Sequence, residues 1–269
     1  MESSLIIIVL MGAFVGLLMG ITGAGGGILS VPLLVFTLQL PIAQAGPIAL
    51  SAITVSAGLG ALIGLRSKIL RYKTAMLIAV CGVIVAPVGL WLAQRIPNIP
   101  LLLGFSAILI YVSIRMYLQA RNALTGGISE NRKPPPCLLN PVHGKLIWTV
   151  PCARSLMLAG AVAGLFSGLL GVGGGFVIVP ALKKYTDLPM KAIVATSLGV
   201  LAMVSGGGAV MSLASGVLNT EIAIPFALGS LLGLIIGKMV EKKLSGPHVQ
   251  QLFAVFTCLV ALSMIYKAT

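Results

Sequence analysis

Residues 23–27 read Gly-Ala-Gly-Gly-Gly, and residues 171–175 read Gly-Val-Gly-Gly-Gly. Each Gly inside a helix costs about 1 kcal/mol relative to Ala, so neither run is predicted to remain helical. Pro32 and Pro180 follow within the first turns of a resuming helix, where a missing amide hydrogen costs little. A helix that starts beside the glycines presents unpaired N–H groups and about half a positive charge, which suits an anion. Gly23, Gly25, Gly26, Gly27, Gly171, Gly173, Gly174 and Gly175 are therefore candidate substrate-binding residues through their main chain. Hydroxyls can complete the hydrogen bonds of an oxyanion, and Thr22, Thr196, Ser197 and Ser205 are the candidates for that role. Ser30, Ser51, Thr54, Ser56 and Ser167 also flank the clusters or lie on the neighbouring segments. In apolar helices such hydroxyls often bond the preceding turn instead.

The two clusters belong to a duplication. Twelve of the 23 residues from Gly12 to Leu34 recur from Gly160 to Leu182 at an offset of 148, which also pairs Pro41 with Pro189, Gly89 with Gly237 and Phe105 with Phe253. Matching interrupted segments in two halves of an apolar chain point to a transporter's binding site. The stripes Gly12, Gly16, Gly20 and Gly160, Gly164, Gly168 are spaced by four, a pattern better explained by close helix packing than by binding.

Of the 269 residues 58% are hydrophobic and 9% charged, against about 25% charged in a soluble domain. The fold class expected is an all-α polytopic membrane protein with two inverted repeats of four hydrophobic units. Each repeat begins with a Gly-broken, re-entrant helical hairpin. The units run over roughly 5–38, 44–65, 74–94, 98–119, 154–182, 190–214, 221–240 and 248–266. Residues 1–119 form the first repeat and 154–269 the second. Between them, 120–153 reads as a basic, Pro-rich, poorly ordered cytoplasmic linker. The first unit, as one helix, is about 50 Å long against about 30 Å of hydrocarbon. Arg66, Lys68, Arg71 and Lys73 follow the second unit, whereas Lys183, Lys184 and Lys191 follow the fifth. These loops share a side only if the first and fifth units each turn back, and the positive-inside rule makes that side cytoplasmic. Both termini then face outward, with Arg95 and Lys267 as single charges on the outer side. Residues 5–21 read as a retained helix, since no basic stretch precedes them.

The net charge of +13 is explained by these loops, so nucleic acid is not an expected partner. No Asp, Glu or His lies mid-crossing, which disfavours carboxylate-based proton coupling. No nucleophile–base arrangement or metal-ligand cluster is visible, so the chain is read as no enzyme, with no metal and no cofactor. Cys81, Cys137, Cys152 and Cys258 suggest apolar packing, not a redox pair.

The paired GxxxGxxGxGGGxxxVP segments (Gly16 to Pro32, Gly164 to Pro180) and the Ala-Thr-Ser-Leu run at 195–198 resemble the TauE/SafE sulfite exporter family. The first repeat departs from that pattern, with Pro47-Ile48-Ala49-Leu50 lacking both hydroxyls. The resemblance implies a secondary transporter that exports sulfite, sulfoacetate or other organosulfonates across the cell (inner) membrane. Expected partners are that small sulfur oxyanion or sulfonate and the lipid bilayer, with a homodimer left open. Import of a different small anion and a non-transporting membrane scaffold or assembly factor are the alternatives.

Overall fold

The computed structural model describes residues 2–23, 26–124, 136–137, 149–241 and 246–268. Gly25 and most of the expected linker lie outside them, so the reading of that linker as poorly ordered does too. The described residues form helices α1 (Glu2–Thr22), α2 (Gly26–Thr37), α3 (Ile42–Arg66), α4 (Tyr72–Arg95), α5 (Asn98–Leu124), α6 (Val150–Leu170), α7 (Gly175–Tyr185), α8 (Met190–Ala214), α9 (Thr220–Glu241) and α10 (Gly246–Ala268). Seven of these, α1, α3, α4, α5, α6, α8 and α9, are long and apolar enough to cross a bilayer. The chain is a multi-span, helical membrane protein.

The first and fifth units are each broken at the glycines, into α1/α2 and α6/α7. The two arms are unequal. α1 and α6 have 21 residues each, about 31 Å of helix. α2 and α7 have 12 and 11 residues, little more than half a crossing. The break is conformational: Gly23, Gly171, Gly173 and Gly174 have φ of 80, 70, 75 and 72°, the left-handed region that favours glycine. α3 and α8 instead begin at prolines, Pro41 and Pro189, in extended conformation, where no helical N–H is lost.

Helix pairing crosses between the halves. Gly12, Gly16 and Gly20 of α1 lie on the backbone of Phe226, Ser230 and Leu234 of α9, so close that a Cβ would overlap the chain opposite. Gly160, Gly164 and Gly168 of α6 meet Ile78, Gly82 and Ala86 of α4 in the same manner. The contacted residues differ by the same 148 positions that separate the glycines. The stripes spaced by four are packing surfaces, as their pattern suggested.

α3 and α8 occupy equivalent places in the two repeats and cross at the centre. Gly60 meets Leu198, Gly64 meets Ala195, and Gly208 meets Leu50, a register in which the two helices run antiparallel. The C-terminal end of α3, with Arg66, therefore lies beside the N-terminal end of α8, with Lys191. Leu70 packs near Gly199 there, and the Arg71 N–H donates to Thr196 Oγ1 at 3.2 Å. The basic loops of both halves thus share one end of the molecule. At the opposite end Asn98 Oδ1 accepts from the Ile42 N–H, and Arg95 stacks over Trp91 at 4.2 Å, an arrangement that keeps a lone guanidinium at an interface.

One expectation fails. Cys137 and Cys152 form a disulfide, with Cα atoms 5.0 Å apart, where the sequence suggested separate apolar packing. No local spacing announces the pair, because the approach depends on how the segment after α5 returns to the start of α6. Cys81 and Cys258 remain free and half-buried.

Candidate anion site at the crossing of the broken hairpins

The two glycine turns converge on the α3–α8 crossing. A Cβ on Gly27, at the start of α2, would stand 3.0 Å from the Val172 carbonyl oxygen of the other turn and 3.2 Å from Ile53. A Cβ on Gly173 would stand 2.6 Å from Ser205 Oγ, 2.8 Å from Leu201 and 3.2 Å from the same Ile53. Ile53 therefore touches both turns. Gly27, at the N-terminal end of α2, lies against this centre, and Gly26, Gly27 and Gly175 are all buried. The outer shoulders of the turns reach past it in opposite directions, with Gly23 against Val194 and Gly171 against Gly46. Gly26 rests on the Met19 and Val15 backbone of its own hairpin, and Gly174 on Ala163.

The hydroxyl candidates separate into two groups. Thr22 Oγ1 donates to the Leu18 carbonyl at 2.7 Å, and Ser197 Oγ donates to the Val194 carbonyl at 2.9 Å. Thr196 accepts from the Arg71 N–H, at the basic end of α8. It precedes Ser205 by nine residues, or about 13 Å along the helix. The structure does not bring Thr22, Thr196 or Ser197 to the turns with a free hydroxyl. Ser30, Ser51 and Thr54 likewise bond carbonyls of their own helices, while Ser56 pairs with Ser230 at 2.8 Å.

Ser205 and Ser167 differ. Both side chains are fully buried, at 0% and 1% exposure, and both hydroxyl oxygens lack a hydrogen-bond partner. A buried hydroxyl left unpaired costs about 1–3 kcal/mol, so two at one glycine turn call for a ligand or a changing partner. Ser205 was a sequence candidate. From the sequence Ser167 is only a flanking residue, and its place one turn before Gly171 is the available signal. Their equivalents in the first repeat are Ala57 and Met19, which join Ile53, Leu198, Leu201 and Leu234 in an apolar cluster. Among the described residues, the unpaired hydroxyls of the centre lie on the second repeat's side.

The centre is also packed, not hollow. Ile53, Leu201 and Val172 stand between the two turns. A cavity of about 150 Å³ lies between α3, α4, α6 and α8, lined by Leu50, Val83, Pro87, Gly168 and Met211 among others. Another of about 280 Å³ lies at the end opposite the basic loops, lined by Leu40, Gln44, Ile48 and residues 216–219. Neither reaches the glycine clusters, although Ile48 lies only about a turn and a half from Ile53. Among the described residues no group of three His, Cys, Asp or Glu is placed to hold a metal.

A family model described as sulfite exporter TauE/SafE matches residues 8–264. The chain is 24% identical to the probable membrane transporter protein YunE of Bacillus subtilis, covering 98% of each chain. It is 26% identical to a probable membrane transporter protein of Xylella fastidiosa, over 98% of this chain and 96% of that one. A shorter stretch, 40% of this chain and 44% of the relative, is 33% identical to the probable membrane transporter protein MJ0441 of Methanocaldococcus jannaschii. No solved structure matches. These relatives are named as transport proteins, not enzymes, and with a match spanning nearly the whole sequence the chain belongs to the sulfite exporter TauE/SafE family of membrane transporters.

Proposed function

We propose that the protein carries a small sulfur-containing anion (sulfite, sulfoacetate or another organosulfonate) out across the cytoplasmic membrane. The reading rests chiefly on the two unpaired buried hydroxyls, Ser167 and Ser205, beside the Gly171–Gly175 turn. Together with main-chain N–H groups at the starts of α7 and α2, they replace the anion's hydration shell in a region of low dielectric. The apolar side, Met19, Ala57 and Ile53, receives the part of the cargo that carries no charge.

Because the centre is packed, binding requires the hairpins to part. The proposed movement is an exchange of conformation between two inverted repeats. It is supported by the antiparallel α3–α8 crossing and by interhelical contacts that recur at the offset of 148. The shared basic end is the cytoplasmic one in this reading, which puts both chain termini outside. Export then follows the membrane potential, at about 2.3 kcal/mol per charge per 100 mV, without a carboxylate for proton coupling.

Proteoliposomes loaded in turn with sulfite, sulfoacetate and acetate test the proposal. The first two are expected to leave at least tenfold faster than from protein-free vesicles, with acetate close to background. Equal rates with and without protein overturn it.

A further inference from the structure

The α6–α7 hairpin is tied at its open end by a segment that the transport reading does not use. Pro136–Cys137 lies across the start of α6 and the end of α7. The Cys137 N–H donates to the Tyr185 carbonyl at 3.1 Å, and the Asp187 N–H donates to the Cys137 carbonyl at 3.3 Å. This makes an isolated parallel bridge between Cys137 and Thr186. On the other side Thr149 Oγ1 donates to the Pro136 carbonyl at 3.0 Å and accepts from the Cys152 N–H at 3.3 Å. The covalent link joins Cys137 to Cys152 in the first turn of α6. Both cysteines are fully buried, in a cluster with Leu156, Ile178, Leu182 and Leu188. The first hairpin has no such bond, since Ser4 stands where the second repeat has Cys152.

We propose that Cys137–Cys152 is a redox latch: the disulfide fixes both arms of the α6–α7 hairpin at their open end, and its reduction frees the hairpin to move. Lys183, Lys184 and Lys191 mark this as the basic end. The switch, though not the bond itself, rests on the cytoplasmic placement proposed above. In that compartment thiols are held reduced, and the bond forms only when a two-electron oxidant such as a peroxide takes up the two electrons and two protons of the thiols and is reduced to water, so it reports oxidation instead of persisting as a staple. The opening reaction is thiol–disulfide exchange with a dithiol. One thiolate of the reductant attacks a cysteine sulfur, the S–S bond breaks, and the other cysteine leaves as a thiolate and takes a proton. The reductant's second thiol then displaces the mixed disulfide, leaving two cysteine thiols and an oxidised dithiol. Burial of both sulfurs makes that attack wait for the segment to lift, so the latch resists brief exposure to reductant.

The test uses the full chain in cells and then purified. Cells are quenched in acid and alkylated, with and without prior treatment by a thiol oxidant, and the cysteine peptides are mapped by mass spectrometry. Cys137 and Cys152 are expected to be alkylated in untreated cells and linked to each other after oxidation. Purified protein is then followed by hydrogen exchange with and without a dithiol. Amides at 182–187 are expected to exchange about tenfold faster once the bond is reduced. C137S/C152S should show the fast rate in both conditions. Cysteines that stay separate under oxidant, a bond fully formed in untreated cells, or exchange unaffected by reduction would each overturn the latch. None of these readouts depends on transport, so failure of the anion assay and failure of the latch are distinguishable.

Discussion

Ser205 and Ser167 concentrate the functional argument because their hydroxyls are the parts of the centre without an internal partner. Replacing either by Ala removes an unpaired buried group, so thermal unfolding should show stability unchanged or raised by about 1 kcal/mol. Sulfite flux in proteoliposomes should nevertheless fall at least tenfold. Thr196→Val is the contrasting case. It removes the acceptor of the Arg71 N–H, and is expected to cost about 1 kcal/mol with flux changed less than threefold. From the sequence Ser205 and Thr196 are candidates on the same footing, both on the helix behind the second glycine cluster, with Ser167 only a flanking residue. What separates them is which carbonyl or amide lies within about 3 Å, and neighbours in another helix decide that. Ser167 stayed in the background for the same reason: an isolated Ser in an apolar helix commonly bonds its preceding turn, and here it does not.

At the scale of helices, the glycines divide by what stands opposite them. A methyl at Gly164 would overlap the Gly82 backbone, whereas one at Gly58 meets nothing within 4 Å. Gly164→Ala should force α4 and α6 apart and cost about 1–3 kcal/mol or more. Gly58→Ala should be neutral or stabilising by up to about 1 kcal/mol, from helix propensity. Thermal unfolding of the two variants in the same detergent checks both values. The stripes, the breaks at the glycines and the number of units were legible in the sequence, because spacing by four and Gly runs are local signals. Which helix each stripe meets was not. In a bilayer the outward face is as apolar as the interior, as Met76, Ile84 and Val210 show at more than 60% exposure, so hydropathy does not reveal the packed side. The α1–α9 and α4–α6 pairs join different repeats, and no local pattern encodes that choice. The Cys137–Cys152 bond was hidden likewise, by the path of the chain between helices.

For the whole molecule, the shared end of the described basic loops after α3 and α7 and the absence of Asp, Glu and His from the middle of the crossings are the grounds for proposing a transporter driven by potential. At 100 mV, negative inside, a monovalent anion carried without a coupled ion should reach an outside-to-inside ratio of about fifty. Vesicles held at set potentials with a potassium gradient and ionophore measure that ratio, and one independent of potential would point to electroneutral exchange. The central claim is narrower: an anion sits between the glycine turns, against Ser205. Its most direct test is the rate at which S205C, in a chain with the four native cysteines replaced by Ala, reacts with a water-soluble thiol reagent. Slow labelling that sulfoacetate suppresses several-fold, and acetate does not, is the predicted result. A thiol that is never labelled while the vesicles are transporting, or is labelled at a rate no anion alters, would contradict it.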